Sequence, residues 1–546
     1  VNDDVVIPPA LPADGLVPAP PEPVGVARPA AIARRSVWGL IAQFTPLAVN
    51  IALTPYVIHG FGLPRYGVFL LITGFAALLG QFDGGITASA QRYFSIFAGT
   101  DDRTATTRLL TTTVGLVGAL GTVIGAVFWI VAGTVARLLH MPAALIGETT
   151  TLIRIASVIL VVALLRNIPA AVLQANNRFA LTNMTYAVSY VIYVVGIVLT
   201  VRNGWGLAGA GWTIAAQQLF ATLVLVPSSG RYLTRRGVGL YSRAELRELV
   251  GFSFKMQTVS LANLFLAEVD GLIIAALLPV ANVALYTAGS GFAEQIRAVP
   301  TNAIGPIQTA LSHGYAVDGD AGLYPQVEAL QRTWVLGISG WCSAAIGAAY
   351  FGVTAWLGSS ANSFHTSGIV ATVLLFGVFA FLGTRVLSTA LNVAGHPGYQ
   401  ARMSGVMIGV NVGLTLLLLG IVRAVATPAG FNAYGVYAVV AATTASQVVA
   451  VLHLERAVRR RHPVPMRSFL HDVPVVACLA TIVTVAALEW LIHPYVPHGG
   501  LGLLASAIPA IPGLVLYARL ALTHDARARA FGAVRTRLHL PRQRSA

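Results

Sequence analysis

Residues 109–136 read LLTTTVGLVGALGTVIGAVFWIVAGTVA, a stretch with no Asp, Glu, Lys or Arg anywhere in it. An α-helix needs roughly 20 apolar residues to cross about 30 Å of hydrocarbon, so this run is long enough for a membrane span. It is not alone. Breaking the chain at glycine, proline and charge gives spans near 36–59, 64–95, 109–136, 149–174, 181–201, 207–227 and 251–278. Seven more lie near 282–312, 327–357, 367–394, 400–423, 433–455, 472–492 and 500–521. The composition agrees: 56% of the residues are hydrophobic and only 10% charged, against roughly 25% charged in a soluble chain. The fold class implied is an all-α polytopic membrane protein of about fourteen transmembrane helices.

The net charge of +15 is read by position. Arg34 and Arg35 precede the first span, and Arg231, Arg235, Arg236, Arg243 and Arg247 fill the connection after the sixth. Arg456, Arg459, Arg460, Arg461 and Arg467 follow the twelfth, and the last 25 residues (522–546) carry Arg527, Arg529, Arg535, Arg537, Arg542 and Arg544. The alternate connections hold only isolated cations such as Arg65, Arg137, Arg202 and Arg423. Positive residues collect on the cytoplasmic side, so both termini are expected in the cytoplasm and the protein in the cytoplasmic membrane. The basic tail suits anionic lipid headgroups better than nucleic acid, which is not expected as a partner. Lys255 is the only lysine; with heavy use of Ala, Gly, Val and Arg, this is what GC-rich coding in a bacterial source would give.

Residues 1–35 contain eight prolines between Pro8 and Pro29 and lack the basic and apolar regions of a signal peptide, so a disordered cytoplasmic tail is expected. Cys342 and Cys478 lie far apart in apolar runs, and the twelve histidines form no metal-binding motif. Neither a disulfide framework nor a resident cofactor is expected.

Weak internal similarity recurs at a spacing of about 215–226 residues. The stretch from Arg166 to Arg178 matches that from Arg385 to Pro397, and the stretch from Trp205 to Trp212 matches that from Phe431 to Tyr437. The organisation expected is a six-helix lobe at 36–227, a cytoplasmic linker at 228–250 and a second six-helix lobe at 251–456. Two extra helices at 457–521 and a basic tail at 522–546 complete the chain. Two repeated lobes in a membrane usually hold substrate between them and alternate its access.

Gly62-Leu-Pro-Arg-Tyr-Gly-Val-Phe69, then Gln81-Phe-Asp-Gly-Gly-Ile86, then Gln91-Arg-Tyr-Phe94 resemble the second span of Wzx-like polysaccharide flippases. Asp270-Gly-Leu-Ile-Ile274 followed by Val283-Ala-Leu-Tyr286 and Pro300 resembles that family's seventh and eighth spans. The family lies in the multidrug/oligosaccharidyl-lipid/polysaccharide (MOP) exporter superfamily, beside MATE drug exporters and MurJ-type lipid II flippases. The resemblance covers about 36–456. It implies a flippase, not an enzyme, that moves a polyprenyl-pyrophosphate-linked oligosaccharide by alternating access, with glycan-assembly proteins as possible neighbours. A MATE-like cation-coupled efflux pump is the alternative, and a membrane-bound glycan-assembly enzyme a third.

Ionisable residues inside spans are costly and so point to function. Asp83 and Arg92 fall on opposite faces of a regular helix; Asp83 is a candidate for H⁺ or Na⁺ coupling and Arg92 for a pyrophosphate contact. Each also has a structural explanation, in backbone groups freed at Gly84-Gly85 and in snorkelling. Glu294 and Arg297 stand at i,i+3 and can pair. Glu268 and Asp270 are about 200° apart on a helix and should face different surroundings. Arg166 and Arg385 are repeat-equivalent, either as phosphate contacts or as helix anchors. Pro46, Pro55, Pro169, Pro300 and Pro306 are expected to kink the spans that hold them.

Overall fold

The computed structural model describes residues 29–79, 86–99, 101–139, 141–176, 178–242, 268–358, 364–394, 396, 398–461 and 468–521. The described residues form helices joined by short turns and 3₁₀ segments, with no strand among them. The helices are α1 Pro29–Leu79, α2 Ile86–Gly99, α3 Arg103–Leu138, α4 Ile146–Ala175, α5 Phe179–Arg202 and α6 Gly206–Ser229. After the stretch α7 at 268–277 come α8 Ala281–Asn302, α9 Ile304–Leu357, α10 His365–Gly383, α11 Arg385–Val393, α12 Gly398–Val425 and α13 Pro428–Arg461. The chain continues with α14 Val475–Ile492, α15 Gly500–Ala505 and α16 Ala510–Ala521.

Helix α1 is two arms. Gly62 has φ 75° and ψ 158°, outside the helical region and in a conformation L side chains resist. Tyr66 is hydrogen-bonded to Thr54, which a straight helix would hold about 18 Å away. The chain therefore turns back at Gly62, dividing the first two expected spans where the sequence places the break.

Ten helices among the described residues are long and apolar enough to cross a membrane, at 103–138, 143–175, 179–202, 206–232, 326–357, 365–393, 398–425, 428–460, 475–495 and 500–521. These correspond to ten of the fourteen expected spans. The first, second, seventh and eighth are not among them. Residues 80–85 and 243–267 fall outside the description, and α8 is polar, with Asn282, Thr287, Ser290, Glu294, Gln295 and Arg297.

Two boundaries differ from the expectation. Span eight was expected to end near 312 and span nine to begin near 327, but α8 stops at Asn302 and α9 is helical from Ile304 to Leu357. Pro306 lies in the first turn of α9, where a missing N–H leaves no helical bond unmade, so it starts a helix instead of kinking one. Span ten, expected as one helix over 367–394, breaks at Thr384 into α10 and α11. Gly383 sits at that break with the ring of Phe469 against it, where a Cβ would lie 2.5 Å from the ring.

Helices α1 to α6 pack chiefly on one another, as do α8 to α13; α1 against α8 is the main contact between the two groups. Close approaches mark that seam. A Cβ on Gly67 would lie 2.2 Å from the carbonyl oxygen of Val280, and one on Gly74 would lie 2.5 Å from Oε2 of Glu268. The indole of Trp356 donates to the carbonyl of Ile51 at 2.6 Å. Helices α14 and α16 pack on α9 outside both groups.

The arginine-rich end is held by Glu455. Its carboxylate is buried and accepts from Arg459 at 2.8 Å, from the Ser468 hydroxyl at 2.6 Å and from the Phe469 amide at 3.0 Å. That clamp sets Phe469 against Gly383 and so fixes the break before Arg385. Glu455→Ala leaves these donors without an acceptor and should cost about 2–4 kcal/mol. The check is a lower melting temperature of the purified variant, with Glu455→Gln falling between it and the parent.

Candidate functional site

Three features can bind something, and α8 connects them. Between the two helix groups lies a cleft of about 600 Å³. Leu53 and Val57 from one arm of α1 and Tyr66 and Phe69 from the other form one wall. Thr287, Gly291, Gln295 and Val299 of α8, Trp341 and Trp356 of α9, and Leu503, Ser506, Ile511 and Leu514 of the last helices close it. The lining is mainly apolar, with Asn50, Thr54, Thr287, Gln295 and Ser506 as its scattered polar groups.

The cleft residues of α8 fall on one helical stripe, and at 100° per residue Arg297 lies on nearly the opposite face. There Arg297 pairs with Glu294 at 2.5 Å, with side chains 39% and 54% exposed, so the pair borders open space. The Arg297 guanidinium lies 5.6 Å from the Phe381 ring centroid, and that of Arg385 lies 5.4 Å from the same ring. Two cations thus approach one aromatic ring, only Arg297 has a carboxylate partner, and Nε of Arg385 is buried without a partner. Stacking on the ring stabilises each guanidinium while leaving its edge free to donate.

The first helix group repeats half of this arrangement. Arg166 of α4 lies 5.0 Å from the Tyr186 ring centroid. It donates to Gln218 and, at 3.2 Å, to Asn167, and its Nε is likewise without a partner. Arg166 and Arg385, expected as repeat equivalents, thus both lie over aromatic rings, but only Arg385 shares its ring with a second arginine. Their helical settings also differ: Arg166 is within a continuous helix, Arg385 at the start of a new one.

The third feature is buried. Asp270 is 2% exposed; Oδ2 accepts from the Tyr286 hydroxyl at 2.5 Å and from the Thr443 hydroxyl at 2.7 Å. Asn411 donates to the Thr443 hydroxyl at 3.0 Å, and the carbonyl of Val439 lies 3.0 Å from that same hydroxyl. Thr443 has one proton and two acceptors in reach, so one acceptor is always short. Oδ1 of Asp270 and Oδ1 of Asn411 are buried without hydrogen-bond partners. This surplus of acceptor oxygens, contributed by α7, α8, α12 and α13, suits a proton or a small hard cation, which oxygen donors bind.

Glu268 does not share that site. It is half-buried on the other side of α7 and meets Gly74 across the seam, consistent with the 200° separation. Asp83 and Lys255 lie outside the described residues; Arg92 is on α2, but its side chain also lies outside the description. Sequence reading missed Asn411 and Thr443, ordinary polar residues in apolar helices whose link to Asp270 exists only in space. Tyr286 was quoted for its family pattern but not as a partner of Asp270.

The family model for a polysaccharide biosynthesis protein matches residues 100–313. No curated protein matches the chain. Among solved structures, the chain is similar to the lipid II flippase MurJ in an inward closed conformation, with a TM-score of 0.68 at 12% identity, over 91% of this chain and 99% of that one. It is also similar to a multidrug resistance MATE family transporter of the MOP superfamily in an inward-facing conformation, with a TM-score of 0.57 at 11% identity, over 79% of this chain and 96% of that one. A Vibrio cholerae MATE transporter, VcmN, follows with a TM-score of 0.52 at 13% identity, over 79% of this chain and 97% of that one. The fold is that of MurJ and the MATE transporters.

Proposed function

From a chain with the MurJ/MATE fold and a match to the polysaccharide biosynthesis family, we propose a flippase for a polyprenyl-pyrophosphate-linked oligosaccharide that works by alternating access across the cytoplasmic membrane. The observation that carries this reading is the division of α8 into a face that lines the mainly apolar cleft and an opposite face bearing Arg297, with Arg385 beside it. A lipid-linked glycan has an apolar chain, a dianionic linkage and a polar sugar, and it needs surfaces of these two kinds close together. The cleft suits the polyprenyl chain. The guanidinium edges of Arg297 and Arg385 suit the pyrophosphate, for which arginine's planar fork is the matching donor. Glu294 holds Arg297 in place until the ligand competes for it.

With the arginine-rich end in the cytoplasm, the Gly67–Val280 contact lies towards the outer face. The arrangement is then closed to the outside. The Asp270 network is the site proposed to take the coupling ion, H⁺ or Na⁺, because cation binding there can favour one packing of α7, α8, α12 and α13 over another.

Arg297→Gln with Arg385→Gln removes both pyrophosphate donors and should lower glycan export by at least about tenfold, the equivalent of 1.4 kcal/mol. The check is accumulation of lipid-linked glycan on the inner leaflet of cells carrying the double variant as their only copy. Normal export with normal protein levels would exclude this pair as the pyrophosphate contact. Partners that synthesise or polymerise the glycan follow from this reading and are tested by co-purification.

A further inference from the structure

Glu489 takes no part in the mechanism above, yet its environment is demanding. It lies near the end of α14, is 0% exposed, and neither carboxylate oxygen has a hydrogen-bond partner. The buried Ser506 hydroxyl lies beside it and can donate to the carboxyl, and Ser506 lines the cleft. One turn earlier the helices are tight. Cβ atoms on Gly347 of α9 and Gly513 of α16 would lie 2.8 Å and 2.3 Å from the Val485 side chain, leaving no room for solvent.

No cation compensates the carboxylate. Between Val475 and Ala518 there is no lysine or arginine, nor is there one on α9 between Thr333 and Leu357. Glu328 and Arg332 lie in the middle of α9, N-terminal to the Gly347 contact, and Arg519 lies in the last turn of α16, beyond the Gly513 contact. Among the described side chains, the other titratable groups on the elements packed against α14 are Cys342 and Tyr350 of α9, Tyr517 of α16, and His493 and Tyr495 beyond its end. Tyr517 donates to the Leu336 carbonyl and Tyr350 is bonded to His365. His493 stacks near Phe351, and its Nδ1 has no partner. An ionised carboxylate here would be buried and unpaired, which proteins avoid by keeping the group neutral.

We propose that Glu489 is a proton-binding site of the C-terminal helix pair, seating α14 against α9 and Ser506 as a neutral acid and loosening that wall of the cleft when it ionises. The ligand is a proton. The site is separate from the Asp270 network, and its test requires no transport.

The full-length protein in detergent is melted by tryptophan fluorescence from about pH 5 to about pH 9. The native state keeps a proton that the unfolded chain releases above about pH 4.3, so stability falls as pH rises. The expected fall in melting temperature is about 2–5 °C. Glu489→Gln carries the neutral form permanently and should hold its low-pH melting temperature across the range. A variant that follows the parent's pH slope overturns the proposal. As a check without mutation, dicyclohexylcarbodiimide, which reacts with protonated carboxyls in apolar surroundings, is applied to the parent protein in vesicles. An adduct on the Glu489 peptide that declines with rising pH supports the site; an adduct seen only after unfolding in detergent refutes it.

Discussion

Asp270→Asn should leave a folded protein whose transport no longer responds to an ion gradient and is slower by about 5–150-fold, the range of a coupling energy of 1–3 kcal/mol. The reason is geometric. Asparagine keeps the shape and one acceptor for Tyr286 and Thr443, so packing survives. It loses the negative charge that makes binding a proton or cation at this depth favourable, while Oδ1 of Asn411 stays without a partner. An ion that binds both arrangements equally shifts neither, so removing its site removes the bias between them. The readout is flipping rate against imposed pH and Na⁺ gradients. A variant that retains the parent's rate and gradient dependence would place coupling elsewhere, with Asp83 the next residue to test.

Gly67→Val should have an effect of similar size by a different route. A Cβ at this position would stand 2.2 Å from the Val280 carbonyl oxygen, which is backbone and cannot swing away. The second arm of α1 and the start of α8 would have to separate, and closely packed interfaces yield by switching arrangement more than by stretching. The variant should favour the state open at the Gly62 end, with transport down at least about tenfold. A cysteine introduced at Leu53 of the cleft should then become more reactive to an impermeant thiol reagent added from outside. Gly409→Ala is the control, since a Cβ there meets nothing within 4 Å. Unchanged transport in Gly67→Val would mean that the Gly67–Val280 contact does not have to form in the cycle.

These expectations show which parts of the molecule can be read from sequence. Apolar length is a local property, so span positions and the turn at Gly62 follow from runs, glycine and charge. Boundaries fail where a proline has two meanings: Pro306 marks a helix start, and nothing in its immediate neighbours separates that from a kink. Single buried acids such as Asp270 stand out because charge is rare in apolar helices. Their partners do not, because Thr443 is 173 residues away and is one hydroxyl among many. Arg385 was legible as a repeat position, whereas its sharing of the Phe381 ring with Arg297 depends on how α8 crosses α10. Glu489 was legible and overlooked: it is the only acid in α14, and only its burial makes it informative.

The most direct measurement is flipping itself. The purified protein is placed in liposomes with a polyprenyl-pyrophosphate-linked oligosaccharide, and the share of glycan open to an impermeant glycosidase is followed over time. The expected result is that an initially protected pool becomes accessible at a rate that falls at least about tenfold in the Arg297→Gln, Arg385→Gln double variant. A pool that stays protected with the parent protein, or that becomes accessible equally fast with the double variant, would contradict the proposed route along the two faces of α8.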